Sequence, residues 1–402
     1  MNSTRRKIAI VTPFGAESRY DWYPESVLAH GLFERGWAVR MHTYAIWSKE
    51  GYRHDVNYKG VPVYRCRQRL GFSPRLLFSI LWWRPDAVVC FHPKSYLNFT
   101  AFIAARLIGA PFIVEIVGIL HDSFIVNDVD DPEHNLKHPI RLATRFSLYL
   151  QEIFAGRFAR SWTNYVCHMP IAHADAIIAI SDDEKKYIQQ IYGRDSTRIY
   201  MSAPRGEDTT QSKPVAEIPA KYLFFIGQIK RRKGWDTAID ALAALRARGI
   251  EKQLVFVCPN KDIADALAYA KERRVSDLVT FLIAVSNAEK NWLYAHCQYV
   301  LIPSRYESFG IPVFESFVAR KPILATQINV FMEFLEDRHN AMLTPVGNGI
   351  AMANAILELD RNPALQATLI EGGEKTAERF SYARTVDEHE SVIKEAIHAR
   401  LA

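Results

Sequence analysis

The stretch that decides the fold runs over residues 303–326, PSRYESFGIPVFESFVARKPILAT. An apolar run, Tyr299–Ile302, precedes it, and another, 322–325, closes it. Strand, glycine-containing loop, helix and second strand is the economical reading of that order. Glu307 then lies in the loop, and Glu315 lies in the first turns of the helix. The backbone N–H groups of the loop and the helix N-terminus face one point, where an anionic phosphate binds well. Two carboxylates beside that point can accept hydrogen bonds from sugar hydroxyls. Spacing alone does not require this reading. Two glutamates eight apart also describe a solvated loop residue and an exposed helix residue.

Outward from this segment, short apolar runs alternate with longer helical patterns. In the first half the strand candidates are 7–12, 37–44, 61–66, 87–91, 112–117, 176–180 and 198–201. In the second half they are 222–226, 254–258, 278–283, 299–302, 322–325 and 341–343. Strands spaced by helices argue for parallel sheets, and two successive sets argue for two Rossmann-like domains. A chain of 402 residues is also too long for one ordinary core. The expected organisation is a first domain over 1–205, a polar linker over 206–220 and a second domain over 221–380, with a terminal helix over 381–402. Within the first domain, residues 127–170 form an insertion with a helix expected over 141–158. That helix reads either as a cap packed on the sheet or as an acceptor-binding or membrane-contact element. Ser73-Pro74 opens another helix, whose Leu77, Ile80, Leu81 and Trp83 are expected to pack on the sheet.

Composition bounds the function classes. Residues 1–205 carry 26 Lys and Arg against 19 Asp and Glu, whereas the remainder carries 24 against 25. The basic half suits an anionic lipid surface or a phosphorylated acceptor as well as ordinary solvated surface. No dense basic run interleaves with aromatics, so no nucleic-acid partner is expected. The five cysteines, at 66, 90, 167, 258 and 297, include no C-x-x-C pair and read as core residues of a reduced compartment. No signal peptide is evident, and the nearest membrane-span candidate, 101–120, carries Arg106 and Glu115 and is broken by Gly109-Ala110-Pro111. The expectation is a cytoplasmic protein, with peripheral contact on the inner face of a membrane left open. No G-x-G-x-x-G follows any strand candidate, which argues against a nicotinamide dehydrogenase.

A second informative loop, Gln228-Ile229-Lys230-Arg231-Arg232-Lys233-Gly234, follows the strand that ends in Phe225-Ile226-Gly227. Together with Ser308-Phe309-Gly310-Ile311-Pro312 between the two carboxylates, it resembles the donor site of glycosyltransferase family 4, retaining enzymes of the GT-B fold. The resemblance spans nearly the whole chain, specific over 222–335 and loose before 170. It implies an α/β chain of two Rossmann-like domains, whose parallel sheets face across a cleft holding the active site. The terminal helix would return to the first domain. The implied function is transfer of a sugar from a nucleoside-diphosphate sugar to a hydroxyl of a glycan or glycolipid acceptor, with no cofactor and no metal. The setting it suggests is polysaccharide or glycolipid assembly. A sugar-nucleotide epimerase or hydrolase of the same fold, and a non-catalytic sugar-nucleotide-binding subunit, remain alternatives.

By this resemblance Glu315 binds the ribose hydroxyls. Glu307 and the loop Ser308, Phe309, Gly310 and Ile311 position the donor sugar and phosphates, and 283–286 lie near the nucleobase. The four cations Lys230, Arg231, Arg232 and Lys233 suit a diphosphate leaving group, on which negative charge grows as the anomeric bond breaks. A solvated basic loop is the plainer alternative. Lys233-Gly234 matches the end of the family's Gly-Arg-x-x-x-x-Lys-Gly pattern, but Gln228 stands where arginine is usual. Lys230, Arg231 or Arg232 would then supply that charge, or the phosphates are held differently. In the first domain, Gly15 is what remains of a Gly-Gly loop that approaches donor and acceptor. Val117 stands where many relatives have histidine before Gly118. His121 would take over contact with the sugar, with Asp122 orienting its ring, or it is a loop histidine of no catalytic importance. His92 is a second candidate. Asp128-Val129-Asp130 spells a D-x-D, the metal-binding motif of another transferase fold, but Asp131 and Glu133 read more simply as an acidic loop.

Overall fold

The structure is a computed structural model that describes residues 5–13, 23–45, 54–68, 71–92, 95–156, 158–204, 211–259 and 263–401. The chain divides into two compact units, 1–127 with 135–202 and 382–402, and 128–134 with 203–381. Part of the expected 206–220 linker lies outside the described residues, and its remainder is counted with the second unit.

The first unit is built on β1 (Lys7–Val11), β2 (Ala38–Tyr44), β3 (Val56–Tyr58), β4 (Val61–Cys66), β5 (Ala87–Phe91), β6 (Phe112–Ile116), β7 (Ala176–Ala179) and β8 (Thr197–Arg198). They form one sheet in the order β3-β4-β2-β1-β5-β6-β7-β8, parallel except for the β3–β4 pair. Strands β5 and β6 are buried at every residue. Continuous apolar runs are what a parallel sheet covered on both faces requires. β3 has no counterpart among the sequence candidates, because three mostly exposed residues carry no apolar pattern. On one face α1 (Pro24–Glu34) sets Val27, Leu28 and Leu32 against Ile8, Ile10 and Val89.

Helix α2 (Pro74–Trp83) starts at Ser73, whose side chain accepts from Leu76 N at 3.4 Å. Of the set expected from sequence Ile80 is buried and Leu77, Leu81 and Trp83 are half-buried; Leu76 is buried as well, and Phe78 and Trp82 are exposed. Helix α3 (Leu97–Ile108) packs on β5 and β6. The single helix expected over 141–158 is instead two, α4 (Phe146–Phe154) and α5 (Phe158–Ala172), parted at Gly156 with φ +78°. That left-handed residue stops the first helix. α5 packs on α3, and α4 rests on α5 through Tyr149, whose ring lies 5.3 Å from Tyr165 and 5.7 Å from Trp162. α6 (Asp182–Tyr192) is capped by Ser181, which accepts from Glu184 N at 3.1 Å.

The second unit carries β9 (Tyr222–Ile226), α7 (Trp235–Arg246), β10 (Gln253–Cys258), α8 (Ala264–Glu272), β11 (Val279–Ile283) and α9 (Asn287–His296). It continues with β12 (Tyr299–Ile302), α10 (Ile311–Val318), β13 (Ile323–Thr326), β14 (Met342–Thr344), α11 (Gly349–Arg361) and α12 (Pro363–Arg379). All six strands are parallel, in the order β11-β10-β9-β12-β13-β14. This is the doubly wound order of a Rossmann sheet, and its direction reverses between β9 and β12. Ligands of such sheets bind beyond the carboxyl ends of the strands at that reversal.

The last helix, α13 (Tyr382–Leu401), belongs to the first unit and lies along α1. Gly31 permits the approach, since a Cβ there would run into Val386. Glu390 accepts from Trp37 Nε1 at 3.0 Å and from Arg35 at 2.9 Å. All five cysteines are buried and unbridged. No helix among the described residues is long and apolar enough to cross a membrane.

Candidate active site

The ends of β9 and β12, side by side at the reversal point, place the two decisive loops of the second unit together. After β9 the chain makes one tight turn, Arg231–Lys233, and enters α7 through Gly234 at φ +66°. Any Cβ at Gly234 would strike the carbonyl of Pro303, so only glycine allows the two loops to touch. Arg305 secures the contact: its guanidinium reaches the Arg231 carbonyl at 2.9 Å and clasps Asp236 at 2.6 and 2.7 Å. Its backbone N–H also donates to the Arg232 carbonyl at 2.7 Å. Gly234→Ala is therefore expected to destabilise the chain by clearly more than the left-handed penalty of about 1–2 kcal/mol, measured as a urea midpoint. Gly193→Ala is the reference, because Gly193 has φ +63° but open space around it. It should cost only the left-handed penalty of about 1–2 kcal/mol, and equal losses would discount the loop contact.

This contact brings Lys233 onto Glu307. The ammonium lies 2.6 Å from the Glu307 Oε1, which also accepts from Ser304 Oγ at 2.8 Å. Burial by itself would push the Glu307 carboxyl up, but Lys233, Arg232 and Ser304 outweigh it and hold it below the usual carboxylate range. Burial pulls the Lys233 ammonium down in the opposite sense. The pair sits together as two opposite charges, with the Lys233 side chain 17% and the Glu307 side chain 7% exposed. Gln228, Lys230 and Arg231 are exposed at the rim of the turn, whereas Arg232 is half-buried.

Gly310, at φ +99°, opens α10, and Ser308 and Phe309 before it are buried. The Phe309 ring stacks on Phe314 at 4.8 Å, so its side chain belongs to the aromatic core and its backbone borders the loop. Glu315 sits one turn into α10 and is held by α9: Lys290 pairs with one oxygen, and Tyr294 OH donates to the other at 2.8 Å. Ser286, expected near a nucleobase, uses its hydroxyl in the capping box of α9 with Glu289. Lys290, Tyr294 and Arg305 escape the sequence reading. Only the four-residue spacing of Lys290 and Tyr294, which puts them on one helix face, could have signalled the first two.

In the first unit Gly15 lies outside the described residues. β6 leads through Gly118, at φ +78°, into a single turn Ile119–His121. Glu184 of α6 accepts from both Gly118 N at 2.5 Å and Ile119 N at 2.9 Å. Burial pushes its carboxyl up to about 8. The half-buried His121 thus stands on a turn braced from below, a support that sequence did not reveal. Asp122 accepts from Phe124 N at 2.8 Å and stands 3.5 Å from His168 Nε2. His92 follows β5 at φ +66°, with its Nε2 3.4 Å from the buried Glu25, which also accepts from Thr12 Oγ1 at 2.8 Å. In the D-x-D, the Asp128 side chain accepts from Asp130 N at 2.8 Å. Among the described residues no group of three or more His, Cys, Asp or Glu is placed to hold a metal ion.

Comparison with known proteins follows the same division. Residues 26–202 match the family "Glycosyl transferase 4-like domain", and residues 208–376 match "Glycosyl transferases group 1". A D-inositol 3-phosphate glycosyltransferase of Saccharomonospora viridis is 25% identical over 248 residues, 57% of this chain and 57% of that relative's length. The alpha-D-kanosaminyltransferase of Streptomyces kanamyceticus is 23% identical over 309 residues, 74% of each chain. Among solved structures, Anabaena HepE in complex with UDP-glucose superposes with a TM-score of 0.67 at 17% identity, covering 97% of this chain and 99% of that one. With two parallel α/β units and a family match on each, the chain belongs among the GT-B glycosyltransferases of the family 4 type.

Proposed function

We propose that this protein is a retaining glycosyltransferase that moves a sugar from a nucleoside-diphosphate sugar to an acceptor hydroxyl, in polysaccharide or glycolipid assembly and without a metal ion. The observation that carries the reading is the part-buried Lys233–Glu307 pair beside the glycine-led start of α10. A diphosphate set at that helix N-terminus meets the backbone dipole and the cations Arg232 and Lys233. These charges stabilise the leaving phosphate as the bond to the anomeric carbon breaks. Glu307, kept ionised by Lys233, accepts from the donor sugar's hydroxyls, and Glu315, oriented by Lys290 and Tyr294, accepts from the ribose. The acceptor hydroxyl bonds to the anomeric carbon on the face from which the diphosphate departs, and a leaving-phosphate oxygen takes its proton.

Uridine is the first base to test, because HepE was solved with UDP-glucose. Thermal unfolding with UDP, GDP, ADP and dTDP and their common sugar conjugates tests the site directly. At a hundred times Kd, a ligand of the native state adds about 2.7 kcal/mol. The expected result is a clear rise in Tm with one nucleotide family, UDP first, that Glu315→Gln abolishes. That variant leaves Lys290 without its counter-charge and lowers the ligand-free Tm, so each shift is read against the same protein without ligand. No rise with any of them would overturn the donor site.

A further inference from the structure

The sheet of the first unit also reverses direction, between β1 and β5. Ligands of such sheets bind beyond the carboxyl ends of the strands at the reversal. In the second unit the proposed donor takes that place, and the other substrate of the transfer still needs one. Thr12 follows β1, and His92 follows β5. Glu25, in the first turn of α1, is buried and reaches both. Its described partners fall on one oxygen: Thr12 Oγ1 donates to Oε1 at 2.8 Å, and His92 Nε2 lies 3.4 Å from it. Glu25 Oε2 is buried with no hydrogen-bond partner among the described residues. Asn98 of α3 is in the same condition. It is wholly buried and donates from Nδ2 to the His92 carbonyl at 2.9 Å, but its Oδ1 has no partner among the described residues. His92 itself is held at φ +66°, a costly conformation for a residue with a Cβ and one that clusters at ligand sites. Its side chain is 14% exposed against 2% for Glu25, so the imidazole is the more open member of the group. Buried carboxylate and amide oxygens left without partners are rare and costly. Two of them around one strained residue at a sheet reversal point to a ligand that donates hydrogen bonds.

We propose that Glu25 and Asn98 bind hydroxyls of the substrate that receives the sugar, and that the part of it held here is an uncharged sugar or polyol. One hydroxyl donates to Glu25 Oε2, and another donates to Asn98 Oδ1. His92 and Thr12 are positioning residues: they hold Oε1, which leaves Oε2 as the oxygen offered to the ligand. A phosphate group is the wrong occupant, because it brings further negative charge against a buried carboxylate. The inference rests on the proposed function, since it supplies the second substrate of that transfer. Donor binding is followed separately, so failure here would leave the donor site standing.

The experiment measures transfer by the full chain from the donor selected by thermal shift. Methyl α-glucoside, methyl α-mannoside and methyl α-galactoside are the neutral probes, and glucose 6-phosphate and mannose 6-phosphate are the charged ones. Wild type is expected to use at least one neutral glycoside with a KM at least about tenfold below that of the phosphorylated sugars. Glu25→Gln should raise that KM at least about tenfold, with kcat within about threefold of wild type and the donor-induced rise in Tm unchanged. His92→Gln, whose amide still donates to Glu25, should keep the KM close to wild type, whereas His92→Ala should raise it as Glu25→Gln does. The two His92 variants carry the same comparison if Glu25→Gln lowers the ligand-free Tm into the assay range. A purely structural role would move the ligand-free Tm and leave the KM alone. Glu25→Gln and His92→Ala with wild-type KM would overturn the proposal, because ordered water would then complete the site. So would a preference for the phosphorylated sugars, or no transfer to any neutral glycoside by protein that binds its donor.

Discussion

Replacing Lys233 by methionine is expected to leave a destabilised and nearly inactive protein. Glu307 would remain buried with its counter-charge gone, and breaking a buried pair from one side typically costs about 3–5 kcal/mol. The same change takes away the cation that we place against the leaving diphosphate. Loss of one such fixed electrostatic group lowers kcat by about a hundredfold to a thousandfold. The two effects separate in the double variant Lys233→Met/Glu307→Gln. Neither charge is then stranded, so the urea midpoint should recover most of its loss while turnover stays low. Unfolding curves and initial rates on the donor identified by thermal shift measure both. A Lys233→Met variant of full activity would remove the pair from the proposed chemistry, and a double variant that regains activity would make its role structural only.

The second large effect is expected far from that loop, at His389. Its Nε2 lies 2.7 Å from Glu115 Oε2 on β6 and its Nδ1 lies 2.7 Å from the Thr385 carbonyl, with both side chains wholly buried. Both ring nitrogens face acceptors, so both carry protons. Burial opposes that charge, but Glu115 and the Thr385 carbonyl outweigh it and raise the imidazole above its ordinary value. His389→Leu leaves the Glu115 charge alone in the interior and should cost about 3–5 kcal/mol, loosening α13 from the sheet. Glu115→Leu/His389→Leu should restore much of that stability. The sign of the pH dependence follows from the raised value. The pair's contribution is complete below about pH 6.5, the unfolded imidazole value, and is lost as pH rises through the higher folded value. Denaturation from about pH 6 to about pH 9 should show wild type losing stability relative to the double variant. A constant difference would mean that His389 is neutral.

Several parts of this architecture were open to reading before any coordinates. β5, β9 and β12 are unbroken apolar runs between turn residues, and such runs have few alternatives in a chain of this size. Gly234 and Gly310 likewise sit where sequence puts a loop between strand and helix, and both take the left-handed conformation. The misread elements are those whose pattern is weak or two-sided. β3 is short and exposed, and α4 is apolar on both the side that meets α5 and the side that meets solvent, so periodicity gave no inner face and no end at Gly156. On α2 the same ambiguity shifted the expected inward face away from Leu76.

Local order along the chain by itself determined the two sets of strands and the glycine-containing loops between strand and helix, because apolar runs and glycine positions act within a few residues of themselves. Which charges meet was decided only by the tertiary structure. Lys233 and Glu307 are 74 residues apart, Lys290 and Glu315 are 25 apart, and Glu115 and His389 are 274 apart. Each pair forms because separate elements converge on one strand end or one buried face. Coulomb attraction depends on distance and burial in space, and neither is written in the separation along a chain.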